Sequence, residues 1–276
     1  MRNQYSLLNK IVIYSFLLIG VIISIGPFYW MFIGATHPSG EIFNIPPQLL
    51  PGDYLVENFI SLQESLGMLK IIWNSLFIAL TFTVLSTLIS AAAGYAFAKF
   101  QFKGRDKIFF MLLLTIMIPY QVTLIPLFEL MVSLEWLNTY SAVILPNLAF
   151  PFGIYLMRQN MKSIPDSLIE AARIDGAGEF RIFFTIVLAT MRPALAAVAI
   201  FLFMFQWNNF IWPLVILNSS EMFTLPVALS SLIGMARVDY GQLMLGATLS
   251  TLPIMIFFLI LQKQFISGIL GGSVKE

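Results

Sequence analysis

Apolar residues run along this chain in six long blocks, at about 11–36, 71–98, 108–131, 139–157, 189–217 and 243–261. A helix that crosses the hydrocarbon core of a bilayer needs about 20 mostly apolar residues. Each block reaches or approaches that length, so the pattern predicts six transmembrane helices. The second half of the chain has one long polar interruption, residues 170–193, which read EAARIDGAGEFRIFFTIVLATMRP.

Composition then removes the soluble alternatives. Hydrophobic residues make up 59% of the chain and charged residues 11%, and the mean hydropathy is +0.87. No soluble interior could hide that much apolar surface. An all-α integral membrane protein is expected, as a single membrane domain over 1–276, because six spans leave no room for another. Basic residues favour the cytoplasmic side. With the N-terminus inside, all of the 15 lysines and arginines fall in the cytoplasm except Lys70 and Arg237, which places both termini there. Arg2 and Lys10 before an apolar run also suit a cleaved signal peptide, but the run is too long and lacks a small-residue cleavage site.

Several kinds of chemistry are excluded. There is no cysteine, hence no disulfide framework or thiolate metal site. His37 is the single histidine and has no cluster of ligands at metal spacing, so it reads as an ordinary loop residue. Neither a phosphate-cradling Gly-x-x-x-x-Gly-Lys-Ser/Thr loop nor a Gly-x-Ser-x-Gly elbow occurs. The middles of the six blocks carry no Asp, Glu, Lys or Arg, which argues against a proton symporter. A sodium site built from backbone carbonyls would leave no such trace.

Within the blocks, Ser86, Ser90, Gly94 and Ala98 form a stripe of small residues at steps of four, which lets another helix approach closely. Prolines 119, 126, 146, 151, 213 and 253 each remove a backbone donor and tend to bend their helices. Gln206, Asn208 and Asn209 put three amides deep in the fifth block, where facing lipid is costly. Two explanations fit equally: a hydrogen-bond network between helices, or a water-filled path in which amides match sugar hydroxyls. Asn147 in the fourth block, and Tyr120 with Gln121 in the third, qualify by the same logic.

The polar interruption predicts a helix, a turn and a second helix. Ser163 and Asp166 resemble a capping box, Pro165 suits a first turn, and Ile164, Leu168 and Ala172 repeat on one face. The helix is expected to end near Asp175, with Gly176 as left-handed cap and Gly178 loosening the turn. A second amphipathic stretch through Phe180, Phe183, Phe184 and Val187 leads to Pro193. Small Ala171 and Ala172 allow close approach, while Glu170, Arg173 and Asp175 can orient a partner. A helix lying on the headgroups is the competing reading of the residues alone.

Glu170-Ala171-Ala172 followed by Asp175-Gly176-Ala177 resembles the EAA loop of permease subunits of ATP-binding-cassette (ABC) importers, most closely the carbohydrate-uptake branch with the maltose-type permeases. Trp73-Asn74-Ser75, the stretch 100–107, Trp207-Asn208-Asn209, Trp212-Pro213-Leu214 and the tail 262–275 extend the likeness over nearly the whole chain. The family usually has Ile-x-Leu-Pro after the loop, whereas this chain reads Ile186-Val187-Leu188-Ala189. The alanine is expected to let the helix run on where proline would interrupt it.

The resemblance implies a permease core at about 71–264 and a cytoplasmic coupling loop at 163–188, in which Glu170, Ala171, Ala172, Arg173, Asp175 and Gly176 couple to an ATPase. It implies half of a translocation pathway in the bacterial cytoplasmic membrane, paired with a second homologous permease, expected as a heterodimer. Two ATPase subunits, an extracytoplasmic solute-binding protein and membrane lipid are the other expected partners, with no nucleic acid. The chain itself would bind no cofactor, and ATP and Mg would sit on the ATPase partners. A gradient-driven secondary transporter acting alone and a non-transporting membrane scaffold are the two competing classes.

Overall fold

A computed structural model describes residues 7–234 and 238–271, with side chains over 8–234 and 238–263. Arg2, Arg237 and Lys275 of the charge bias, and the 272–275 end of the tail, lie outside the described residues. Among the described residues all regular structure is helical. In order, the helices are α1 (Leu7–Ala35), α2 (Leu55–Leu66), α3 (Met68–Lys99), α4 (Arg105–Ile116), α5 (Tyr120–Ser133), α6 (Tyr140–Ile144) and α7 (Pro151–Met161). There follow α8 (Asp166–Ile174), α9 (Glu179–Arg181), a π-helical stretch Ile182–Val187, α10 (Leu188–Thr190) and α11 (Arg192–Trp207). The last are α12 (Ile211–Ile216), α13 (Leu225–Ile233) and α14 (Tyr240–Gly271).

Only α1, α3 and α14 are single helices long and apolar enough to cross a membrane among the described residues. Three further spans exist if each of three bent pairs counts as one. The third, fourth and fifth sequence blocks are thus broken rather than continuous. Helices α4 and α5 meet at 100°, the α6 segment and α7 at 44°, and the Glu179–Thr190 segment and α11 at 83°. Proline accounts for each break, because it donates no hydrogen bond and pushes the preceding residue away from helical dihedrals. Pro119 caps α5 in an extended conformation (φ −58°, ψ 130°), and Phe150 before Pro151 is extended too (φ −75°, ψ 111°). At the third break Met191 leaves the helical region (φ −92°, ψ 13°), two residues before Pro193. Pro126 and Pro253 lie inside uninterrupted helices. Replacing the expected proline by Ala189 therefore does carry the helix on, but only as far as Thr190.

The described residues form two compact units, those within 1–68 and 229–252, and those within 69–228 and 253–276. In the first, α1 exposes apolar side chains around its whole circumference, with Phe16 at 73% and Ile23 at 69%. His37 is not a free loop residue there. It is buried, its Nδ1 lies 3.0 Å from the Ile33 carbonyl, and Asn58 Nδ2 donates to the carbonyls of Ala35 (2.8 Å) and His37 (3.0 Å). This cluster ties the loop after α1 to α2.

The second unit holds one apolar cluster running from Phe82 and Tyr95 of α3 through Met157 and Met161 of α7 to Leu202 of α11 and Trp212 of α12. The small-residue stripe of α3 works as predicted. A Cβ added at Gly94 would lie 2.6 Å from Met157 Cβ and 2.8 Å from the Arg158 backbone nitrogen, and one at Gly153 would lie 2.6 Å from Ser90 Oγ. Gly94→Ala should therefore destabilise the protein by about 1–3 kcal/mol, since α7 backbone must retreat. Gly153→Ala should cost less, because a serine hydroxyl can rotate away. Unfolding of the purified variants in graded dodecyl sulfate measures both.

Candidate functional site

The segment after α7 is built as a helix with an inner and an outer face. Ile164, Ile169 and Ala172 are buried and belong to the same cluster as the membrane helices, together with Ile182, Phe183 and Val187. Leu168, expected on the inner face, is 41% exposed. The reason is that α8 starts only at Asp166, so Ile164 lies before the helix and its period runs through 169 and 172 instead. Glu170, Ala171, Arg173, Asp175 and Gly176 all face outward, while Ala172 points into the protein.

The start of α8 differs from the expected capping box. Pro165 occupies the N-cap position with no side-chain cap bond, and the Ser163 hydroxyl donates to the Asn160 carbonyl at 2.7 Å. Asp166 is engaged by Lys99, whose Nζ lies 2.7 Å from Oδ1 and also donates to the Ile164 carbonyl. The end of α8 is as predicted. Asp175 is the C-cap and Gly176 is left-handed at φ 80°. The Gly176 N–H donates to the Arg173 carbonyl and the Ala177 N–H to the Ala172 carbonyl, both at 3.0 Å. Those two bonds close the Schellman motif that satisfies the last carbonyls of a helix.

Gly178 does not loosen the turn, because its dihedrals (φ −71°, ψ 158°) suit any residue. Across the turn, Arg173 Nε donates to Glu179 Oε1 at 2.6 Å, which raises the guanidinium pKa. Both side chains are over 40% exposed, so the pair contributes about 0–1 kcal/mol. The following stretch is not amphipathic in the expected register. Ile182, Phe183 and Val187 are buried, whereas Phe180 is 83% and Phe184 57% exposed, since π-helical bonding widens the turn and shifts the inward face.

A second feature lies among α4, α5, α7, α11 and α12. A cavity of about 700 Å³ is lined by Tyr120, Asn147, Asn208 and Asn209, with Thr115 and the rings of Phe150, Phe152, Phe205 and Phe210 beside them. Four of the six amide and tyrosine candidates therefore converge on one space. The hydroxyl of Tyr120 and the Nδ2 of Asn147 are buried without a hydrogen-bond partner among the described residues. Asn208 Nδ2 donates to the Met204 carbonyl at 2.8 Å. Gln206 and Gln121 do not line the cavity: Gln121 is exposed, and Gln206 is 4% exposed with neither amide atom partnered among the described residues. Gln121 is turned about 100° from Tyr120 on α5, whereas Gln206 is still on α11 and Asn208 and Asn209 lie past its end at Trp207. No Asp, Glu, Lys or Arg lines the cavity, and no group of His, Cys, Asp and Glu that could hold a metal ion occurs among the described residues.

Sequence reasoning missed the roles of Asn74, Ser75 and Lys99. Asn74 is fully buried and donates to the carbonyls of Glu221 (2.8 Å) and Phe223 (3.1 Å), while the Tyr140 hydroxyl donates to its Oδ1 at 2.7 Å. The Ser75 hydroxyl accepts from the Leu225 N–H at 2.7 Å. Two polar residues opening an apolar run were the available signal. Lys99, after 30 mostly apolar residues, reads by itself as a headgroup anchor.

The described residues thus combine helices apolar enough to span a membrane, a helix with an outward polar face and a cavity with an uncharged polar lining. Residues 86–270 match the family described as binding-protein-dependent transport system inner membrane component, and the chain belongs to that family. It is 40% identical over 268 residues to the lactose transport system permease protein LacG of Rhizobium radiobacter, covering 97% of each chain. It is 40% identical over 257 residues, 92% of each chain, to the arabinooligosaccharides transport system permease protein AraQ of Halalkalibacterium halodurans. The sn-glycerol-3-phosphate transport system permease protein UgpE of Brucella abortus is 31% identical over 262 residues, 92% of this chain and 93% of that one. Among solved structures, the crystal structure of a bacterial ABC transporter involved in the import of the acidic polysaccharide alginate superposes with a TM-score of 0.79. That match covers 95% of this chain and 99% of the other at 24% identity, which establishes a shared fold. The family is one of membrane transport permeases rather than enzymes.

The two glycines of the α8 turn separate experimentally. Gly176→Ala should cost about 1–2 kcal/mol, because a Cβ is strained at left-handed dihedrals. Gly178→Ala should change stability by less than about 0.5 kcal/mol, since its backbone is ordinary and a Cβ there meets nothing within 4 Å. Thermal unfolding of the two variants in detergent gives the comparison.

Proposed function

We propose that this chain is the permease subunit of an ABC importer and forms half of the membrane pathway for a carbohydrate handed over by an extracytoplasmic binding protein. It crosses the bacterial cytoplasmic membrane six times as one domain over 1–276, with both termini in the cytoplasm, a permease core at 71–264 and a coupling loop at 163–188. A second homologous permease completes the pathway. Two ATPase subunits bind ATP and Mg and supply the energy, while this chain binds no cofactor. The apolar circumference of α1 fits lipid and the partner permease.

The observation that carries this reading is the division of α8. Its inner side chains are part of the membrane core, while Glu170, Arg173 and Asp175 face outward beside a hydrogen-bonded glycine cap. A helix so mounted can seat in a partner and move the spans as a body when that partner closes. The cavity supports a neutral sugar, since its lining offers amides, a phenol and aromatic faces, and no cation that would pair with a phosphate. Relatedness to lactose and arabinooligosaccharide permeases leans the same way.

The assembled transporter in proteoliposomes tests both parts. Gly176→Pro demands φ near −65° where the chain needs 80°, and it deletes the N–H given to Arg173. Membrane insertion should persist while binding-protein-stimulated ATP hydrolysis and sugar uptake fall; normal uptake at normal expression refutes the coupling role. Asn147→Leu should raise the KM for sugar uptake about two- to tenfold, the effect of one lost hydrogen bond. An unchanged KM would remove Asn147 from the pathway.

A further inference from the structure

Besides the burial of Ile169 and Ala172 in the apolar cluster, two specific linkages join α8 to the membrane helices. Along the chain, motion must pass the Gly176 turn, the π-helical stretch and the 83° break before α11. Each is a joint. The turn is short, and the π-helix departs from the ordinary ladder of i→i+4 bonds. The break coincides with Pro193, which has no N–H to extend the bonding across it.

Across space there is a direct tie. Lys99 is the last residue of α3, and its side chain is 7% exposed. Its ammonium donates both to the Asp166 carboxylate at the first residue of α8 and to the Ile164 carbonyl just before it. The second acceptor is main chain, so the link grips the backbone entering α8 and not only a mobile side chain. The main-chain bond is the better shielded of the two, because the Asp166 carboxylate is 77% exposed and exposed ion pairs contribute little.

The element held by that link is suited to carry a displacement. Helix α3 has 32 residues, contains no proline and is unbroken. From Asn74 to Lys99 it spans about 37 Å at 1.5 Å per residue. At the far end Asn74 and Ser75 hold the loop at 221–225 and the Tyr140 hydroxyl of α6 through the four hydrogen bonds described above. In between, Gly94 and Ser90 press it against α7 with no room for slip.

We propose that Lys99 is a positioning residue that delivers the displacement of α8 to α3, and that α3 carries it as a rigid rod to α6 and the 221–225 loop, bypassing the jointed route to α11. The proposal rests on the coupling role of α8. It differs from a headgroup anchor, which would act on membrane insertion alone and could be replaced without effect on coupling.

The test uses the whole transporter with its partner permease, ATPase subunits and binding protein in proteoliposomes, and reads sugar molecules taken up per ATP hydrolysed. Lys99→Met keeps the length of the stem and removes the charge. It should assemble and lower that ratio about tenfold, within the usual range of coupling between sites. Lys99→Arg, which keeps a charged donor, should restore most of the ratio. A wild-type ratio in Lys99→Met overturns the proposal.

If that variant fails to assemble, Asp166→Lys decides, because it places a like charge against Lys99 at a side chain that is 77% exposed. Its ratio should fall several-fold, and an unchanged ratio overturns the proposal. Gly176→Pro separates the two levels. Impaired uptake in Gly176→Pro with a normal ratio in Lys99→Met removes the Lys99 route alone, whereas normal uptake in Gly176→Pro removes the coupling role beneath it.

Discussion

The structure turns on the burial of Ile164, Ile169 and Ala172 in the same apolar cluster as the membrane helices. An amphipathic helix with no partner inside its own chain would lie loosely on whatever surface it met. Here its inner side chains lie in one apolar cluster with residues of α3, α7 and the stretch leading to α11, so the polar segment is anchored to the membrane unit on one side and leaves Glu170 and Asp175 on the other.

Rigid elements and joints alternate along the second unit. Breaks fall where proline meets a position that cannot donate a bond, at Pro119, Pro151 and Pro193, while Pro126 and Pro253 are absorbed inside helices. The breaks also shape the cavity. Pro151 and Phe150 at the second break and Tyr120 beside the first all line it, so backbone irregularity and polar side chains are concentrated in one place. In a membrane protein, irregular backbone is tolerated where it lines a cavity or is covered by protein, and this arrangement follows that rule. The unbroken α3, packed on α7 through Gly94, is the counterpart: a span with no proline and no break.

The cavity also shows how far a pattern of amides reaches. Gln206, Asn208 and Asn209 look equivalent as a polar cluster in an apolar block. Helix α11 ends at Trp207, so Asn208 and Asn209 fall beyond it and line the cavity, while Gln206 stays on the helix and points into the protein. Where one residue decides between a helix and the turn after it, composition carries no direction.

What the sequence by itself determined was the solvent and the periodic elements. Six apolar blocks, the scarcity of charge and the helix–glycine–helix reading of 163–188 follow from local composition and from dihedral preferences, which act within a few residues. Ending α8 at Asp175 with Gly176 left-handed is such a local matter, and so is the small-residue stripe of α3. What only the tertiary structure decided were the convergence of Tyr120, Asn147, Asn208 and Asn209, and the partners of Asn74, Ser75 and Lys99. The hydrogen-bonded pairs lie 65 to 150 positions apart in the chain, and no local preference encodes which distant carbonyl a buried amide or ammonium finds; the cost of leaving a buried donor unpaired acts only once the helices are packed.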